Sequence, residues 1–115
     1  MKAIKAYIRC AKAEEVVHAL EDAGVPGFTI ISVTGFKGAA VPEKKRWSIE
    51  YAEKCATVAK LELVCNDAEV DGFVRIIKEK AYTGHSGDGM IFVTDVVGAV
   101  KIRTGVEGEG ALTPS

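Results

Sequence analysis

Along residues 2–9 the side chains alternate, with Ile4, Ala6 and Ile8 set against Lys5, Tyr7 and Arg9, the period of a strand with one buried face. From Ala11 the period lengthens: Ala13, Val16, Val17 and Leu20 fall at helical spacing, and Gly24 follows as a stop. A second β-rich run, Phe28 to Val33, ends near Gly35. Val58 to Cys65 alternates again, with Leu61, Leu63 and Cys65 opposed to Lys60, Glu62 and Val64. Asn66 followed by Glu69 has the form of a capping box, and Val70, Phe73, Val74, Ile77 and Ala81 then share one helical face. Met90 to Val97 is apolar and β-branched and predicts a fourth strand, with a short fifth run at Val100 to Arg103. The tail, residues 106–115, is rich in glycine and polar residues and reads as flexible.

The order β-α-β, long connection, β-α-β is the ferredoxin-like α+β arrangement, a four-stranded antiparallel sheet with both helices on one face, in one domain over residues 1–115. The other face of that sheet needs a cover, and a second copy of the chain is the simplest one. The connection, residues 37–57, lacks a period of two, although Ile49 to Ala56 fits a short helical turn; a segment this long is usually a functional or disordered loop. Its tip sets Lys44, Lys45 and Arg46 beside Trp47, the only tryptophan, and reads as a solvated loop tip or as a partner-binding arm.

Composition narrows the function. Fifteen Lys and Arg against sixteen Asp and Glu leave a net charge of -1, which argues against a global nucleic-acid-binding surface. No apolar run approaches the ~20 residues that span a bilayer, and the N-terminus lacks the apolar stretch of a signal peptide, so a cytoplasmic protein without membrane insertion is expected. The three cysteines, Cys10, Cys55 and Cys65, include no CxxC pair and imply neither a disulfide framework nor a zinc knuckle.

The densest chemical signal is Thr83-Gly84-His85-Ser86-Gly87-Asp88-Gly89, between the second helix and the fourth strand. Its glycines let the backbone approach a ligand and turn N–H groups into an anion nest, but it lacks the GK[ST] ending of a P-loop and opens a strand. A tight turn and a phosphate-binding loop both fit. Strand alternation would set Lys101 and Arg103 on one face, as a clamp for a di- or triphosphate or as a charged edge strand. His18 lies among acidic residues and reads as a surface histidine. His85 is a candidate for contact with a phosphate or metal. No nucleophile and base stand at a readable spacing, so an enzyme is disfavoured; a nucleotidase using His85 and Asp88 would be the exception. A metal- or small-anion-binding protein using Cys55 and His85, with Cys10 or Cys65, is the alternative from another class.

These residues resemble a known family. Thr83-Gly84-x-x-Gly87-Asp88-Gly89, then Ile91-Phe92-Val93 and Ile102-Arg103-Thr104-Gly105, are similar to the paired signature of the PII signal-transduction proteins. MKAIKAYI at the start, Gly24-Val25-x-Gly27-x-Thr29, Gly35-Phe36, Glu50-Tyr51 and Lys60-Leu61-Glu62 fit the same pattern, so the match runs over residues 1–112 without a gap. The resemblance implies a ferredoxin-like homotrimer that binds adenine nucleotides (ATP, ADP or AMP, with Mg²⁺ as a possible companion) between subunits. It implies no obligatory cofactor. A long loop would dock into a target protein, a transporter or an enzyme. Carried over, Gly35, Glu62 and Val64 lie near the adenine on one chain, with Gly87, Asp88 and Gly89 around the phosphates. Thr29, Lys101 and Arg103 come from the neighbouring chain.

The departures shape the expectation. Members typically have an arginine and a glutamine soon after Gly-Phe, where this chain has Gly38 and Ala39, and a lysine where it has Val58. Without those groups the 2-oxoglutarate response is expected to be lost or weakened, because a desolvated dicarboxylate lacks its cation. Met90 replaces a phosphate-contacting lysine and Lys101 an arginine, which weakens the hold on a γ-phosphate most. Tyr51 matches a tyrosine that some members have nucleotidylated, but Arg46-Trp47-Ser48-Ile49 replaces the usual approach to it, so it is either a modification site or a contact residue of the loop.

Overall fold

The computed structural model describes residues 1–34 and 57–113. Strand β1 (Lys2–Arg9) runs straight into helix α1 (Cys10–Asp22), with Arg9 as an extended hinge. The helix closes in a Schellman motif: the N–H of Gly24 donates to Glu21 O at 3.0 Å and that of Val25 to Leu20 O at 3.1 Å. Gly24 supplies the left-handed φ of +84° that this closure requires. Strand β2 (Thr29–Thr34) and strand β3 (Thr57–Cys65) follow. The capping box forms as read from the sequence, Asn66 Oδ1 accepting from Glu69 N at 3.2 Å and Glu69 Oε1 from Asn66 N at 3.3 Å. It first tightens Asp67–Glu69 into a 310 turn, and helix α2 (Val70–Ala81) continues from it. Strand β4 is Gly89–Asp95.

All neighbouring strands are antiparallel, in the order β2-β3-β1-β4. The alternation in β1 and β3 works as expected: Ile4, Ala6, Ile8, Leu61, Leu63 and Cys65 face the helices and are buried with Val16, Leu20, Phe73 and Ile77. At ~25 cal/mol per Å² of apolar area, this layer is the main source of stability. On the opposite face, Tyr7 meets Phe92 edge to face at 6.1 Å, and Lys60 Nζ lies 5.9 Å from the Tyr7 ring centre. Around them Ile31, Met90 and Phe92 are about half exposed, at 50%, 59% and 49%. No helix among the described residues is long and apolar enough to cross a membrane.

Two expectations are corrected. Val100 to Arg103 is not a strand of the sheet: only Val100 bridges, to Glu107, and residues 102–104 are a turn. Gly105, with φ +74°, reverses the chain so that residues 99–101 pair with 106–108 within one hairpin. The tail does not run on without structure, because Gly108–Leu112 form a 310 helix. Thr57 belongs to β3, and the remainder of the long connection, with the helical turn at Ile49–Ala56, lies outside the described residues.

Candidate functional site

The loop from α2 to β4 is organised by one carboxylate. Asp88 Oδ2 accepts the N–H groups of Thr83 at 2.8 Å and Gly84 at 2.9 Å. Asp88 Oδ1 accepts from the Thr83 hydroxyl and from Arg9 Nε, the latter at 3.1 Å. Arg9 Nη2 also reaches Ser86 O at 2.8 Å, and the N–H of His85 donates to Thr83 Oγ1 at 3.1 Å. The Thr83 hydroxyl and N–H, then the Gly84 N–H and Arg9, hold the Asp88 carboxyl far below the usual carboxylate range. So weak a base, with both oxygens engaged, is poorly suited to take a proton at neutral pH.

Gly87 and Gly89 sit at φ +105° and +107°. Gly89 has a further reason to be glycine: a Cβ there would stand 1.7 Å from the carbonyl oxygen of Tyr7, where β4 begins beside β1. Ile8 pairs with Gly89, so the whole loop is anchored at the C-terminal end of β1.

The basic pair lies at the other end. The 101–105 turn is closed by Lys101 N to Val106 O and Gly105 N to Lys101 O, both 2.8 Å. Although the strand reading of this segment fails, Lys101 and Arg103 do share a cleft of about 440 Å³, with Pro26, Gly27, Val64 and Thr113 also in its wall. A second cleft of about 370 Å³, whose wall includes Ala3, Thr29, Glu62 and Val64, abuts it through Gly27 and Val64. Each is within the range of small-ligand sites. Glu62 is flanked by Lys60 at 3.4 Å and Lys5 at 3.7 Å.

The geometry regroups the residues implied by the resemblance. Glu62 and Val64 belong with Thr29, Lys101 and Arg103 on one chain, and not with Gly87, Asp88 and Gly89. Val64 pairs with Ala3 and Gly89 with Ile8, five positions further along β1, a separation of about 17 Å at strand rise. Met90 pairs with Tyr7 on the open face and is exposed. Gly35, Lys44, Lys45, Arg46, Trp47 and Tyr51 lie outside the described residues, as does Cys55. Sequence reading missed Arg9 and Thr83 as the builders of the loop.

Of the thiols in the metal reading, Cys55 lies outside the described residues; Cys10 begins α1 at the end of β1 where the 83–89 loop is anchored, whereas Cys65 pairs with Lys2 at the other end. Cys65 is fully buried, and burial pushes its thiol up, away from the thiolate that binds metals. Among the described residues no group of three His, Cys, Asp or Glu could hold a metal ion.

Comparison with known proteins points to one family. The family model for nitrogen regulatory protein P-II matches residues 1–106. The chain is 38% identical to a nitrogen regulatory protein P-II of Pasteurella multocida over 112 residues, covering 97% of this chain and 100% of that one. It is 42% identical to nitrogen regulatory protein P-II 2 of Methanothermobacter thermautotrophicus over 113 residues, covering 97% of each. The crystal structure of Arabidopsis thaliana PII bound to citrate superposes with a TM-score of 0.79 at 30% identity, covering 99% of this chain and 91% of that one.

Proposed function

The chain belongs to the nitrogen regulatory protein P-II family of signal-transduction regulators, and from that premise we propose that it is a cytoplasmic homotrimer sensing adenine nucleotides at sites between its subunits. The observation that carries this reading is the separation along β1. The cleft that holds the basic pair is walled by Val64, whose partner on β1 is Ala3, whereas the glycine loop ends at Gly89, whose partner is Ile8, about 17 Å further along that strand, so a site using both draws one half from each of two copies. The open sheet face, with Ile31, Met90 and Phe92 half exposed, supplies apolar surface for that assembly.

In the proposed site Thr29, Glu62 and Val64, with Gly35, hold the base, Lys101 and Arg103 the phosphates, and Gly87, Asp88 and Gly89 of the neighbouring copy complete it. With Met90 and Lys101 where members carry lysine and arginine, ADP and AMP bind comparably to ATP. With Gly38, Ala39 and Val58 the 2-oxoglutarate response is lost. Nucleotide state is passed to a target protein, a transporter or an enzyme, through loop 37–57, where Lys44, Lys45, Arg46, Trp47 and Tyr51 form the contact. Coupling of this kind requires that the nucleotide bind the loop states unequally.

Calorimetric titration with ATP, ADP and AMP, with and without Mg²⁺ and 2-oxoglutarate, tests the reading. Micromolar binding near one nucleotide per chain is the expected result, and silence for all three overturns it. Light scattering that gives a 12.2 kDa particle instead of three times that mass would overturn the trimer.

A further inference from the structure

The end of the chain folds back onto the basic turn. After Gly108 N bonds to Ala99 O at 2.9 Å, residues Gly108–Leu112 wind into the 310 helix, and Thr113 Oγ1 closes it on Gly110 O at 2.9 Å. Lys101 Nζ then donates to the carbonyl oxygen of Thr113 at 2.5 Å. Ala111, Leu112 and Thr113 form one wall of the Lys101–Arg103 cleft, and the first two are half-buried. The sequence explains why the segment stops there. Pro114 follows, and Thr113 has the extended conformation, φ -74° and ψ 140°, that a residue before proline favours. The return is close at Gly110, where a Cβ would stand 3.2 Å from Val106 Cγ1.

We propose that residues 108–113 are an autoinhibitory strap: the Thr113 carbonyl engages the Lys101 ammonium at the cleft wall, and a phosphate arriving in the cleft competes with it for that charge. The inference rests on the reading of this cleft as an anion site. A neutral carbonyl is the weaker partner, because a phosphate makes a charge-assisted bond to the same donor. The ammonium carries three donors on a long stem, so it can trade this carbonyl for a phosphate without moving the turn. The strap therefore sets a threshold for occupancy, and any contact that draws the tail away raises affinity for the ligand.

Two variants test this, a chain ending at Gly110 and the full chain carrying Thr113→Pro, which puts a second proline ring beside Pro114 and strains the return of the strap to Lys101. Acetylation of Lys101 by an N-hydroxysuccinimide ester, followed by peptide mass spectrometry, is expected to run about fivefold faster in both, with exposed Lys78 as the unchanged internal standard. ADP affinity is expected to rise by a similar factor, the equivalent of one ordinary hydrogen bond. Equal Lys101 reactivity in variants and parent overturns the strap. Weaker ADP binding on removal of the tail also overturns it, since the segment would then help hold the ligand instead of competing with it. Faster acetylation with no ADP binding by any of the chains upholds the shielding of Lys101 and overturns the nucleotide reading instead.

Discussion

The glycine loop and the basic turn are both short and glycine-containing, and they are built on opposite plans. In the loop of residues 83–89, side chains turn inward: Asp88, Thr83 and Arg9 spend their polar atoms on the loop itself. In the turn of residues 101–105, main-chain bonds from Lys101 and Gly105 do the closing, and both basic residues contribute to a cleft wall. The first plan fixes a backbone shape in advance, as an anion nest requires. The second presents charge on long side chains that can follow a ligand. Preorganisation thus sits at one end of β1 and adaptability at the other.

The contrast is most open to attack at the glycines. Gly89 and Gly105 both have positive φ, +107° and +74°, but only at Gly89 would a Cβ strike backbone. Gly89→Ala is expected to lose about 3 kcal/mol or more in urea unfolding, and Gly105→Ala, with open space around it, only about 1 kcal/mol. Equal losses would erase the distinction. Replacing Lys101 and Arg103 together by Met should weaken ADP binding by about 100-fold, from two charge-assisted bonds. A double variant that binds ADP like the parent would remove the basic pair from the site.

Acid titration sharpens the other half. The folded-state pKa of Asp88 lies below its ordinary value of 3.8, so the carboxylate contributes stability that is present above that pH and lost as pH falls further. The stability gap between the parent and Asp88→Asn should therefore narrow below about pH 4. A gap that stays constant through this range would show that the carboxylate's charge is not what holds the loop. The smallest effect is expected at Thr104→Val, which removes an exposed 3.3 Å bond from Val106 N and should change stability by no more than about 0.5 kcal/mol.

What the sequence disclosed follows from what is local. The two-residue alternation of β1 and β3 named the buried side chains, because period and burial are the same fact in a half-covered sheet. The Asn66–Glu69 capping box was readable for a similar reason: donor and acceptor are three residues apart. Lys101 and Arg103 line one cleft, but from a turn and not from the strand their spacing predicts, since turn chemistry at Gly105 outweighed β-propensity. Arg9 and Asp88 are 79 positions apart in the chain, and no pattern in one sequence links them. The strap was hidden similarly, because the composition of the tail says nothing of a lysine waiting for its carbonyl.

The length of β1 also bears on how copies can be joined. A protomer with complementary halves at the two ends of one strand is a head-to-tail unit, and such units form either closed rings or open filaments. An open row of copies always leaves one unmatched half at each terminus. A closed ring leaves none, so its sites equal its subunits in number, and each pairing adds to the closure of the whole. In such a ring a ligand that bridges two protomers acts as a rivet, and its occupancy and the integrity of the assembly rise and fall together.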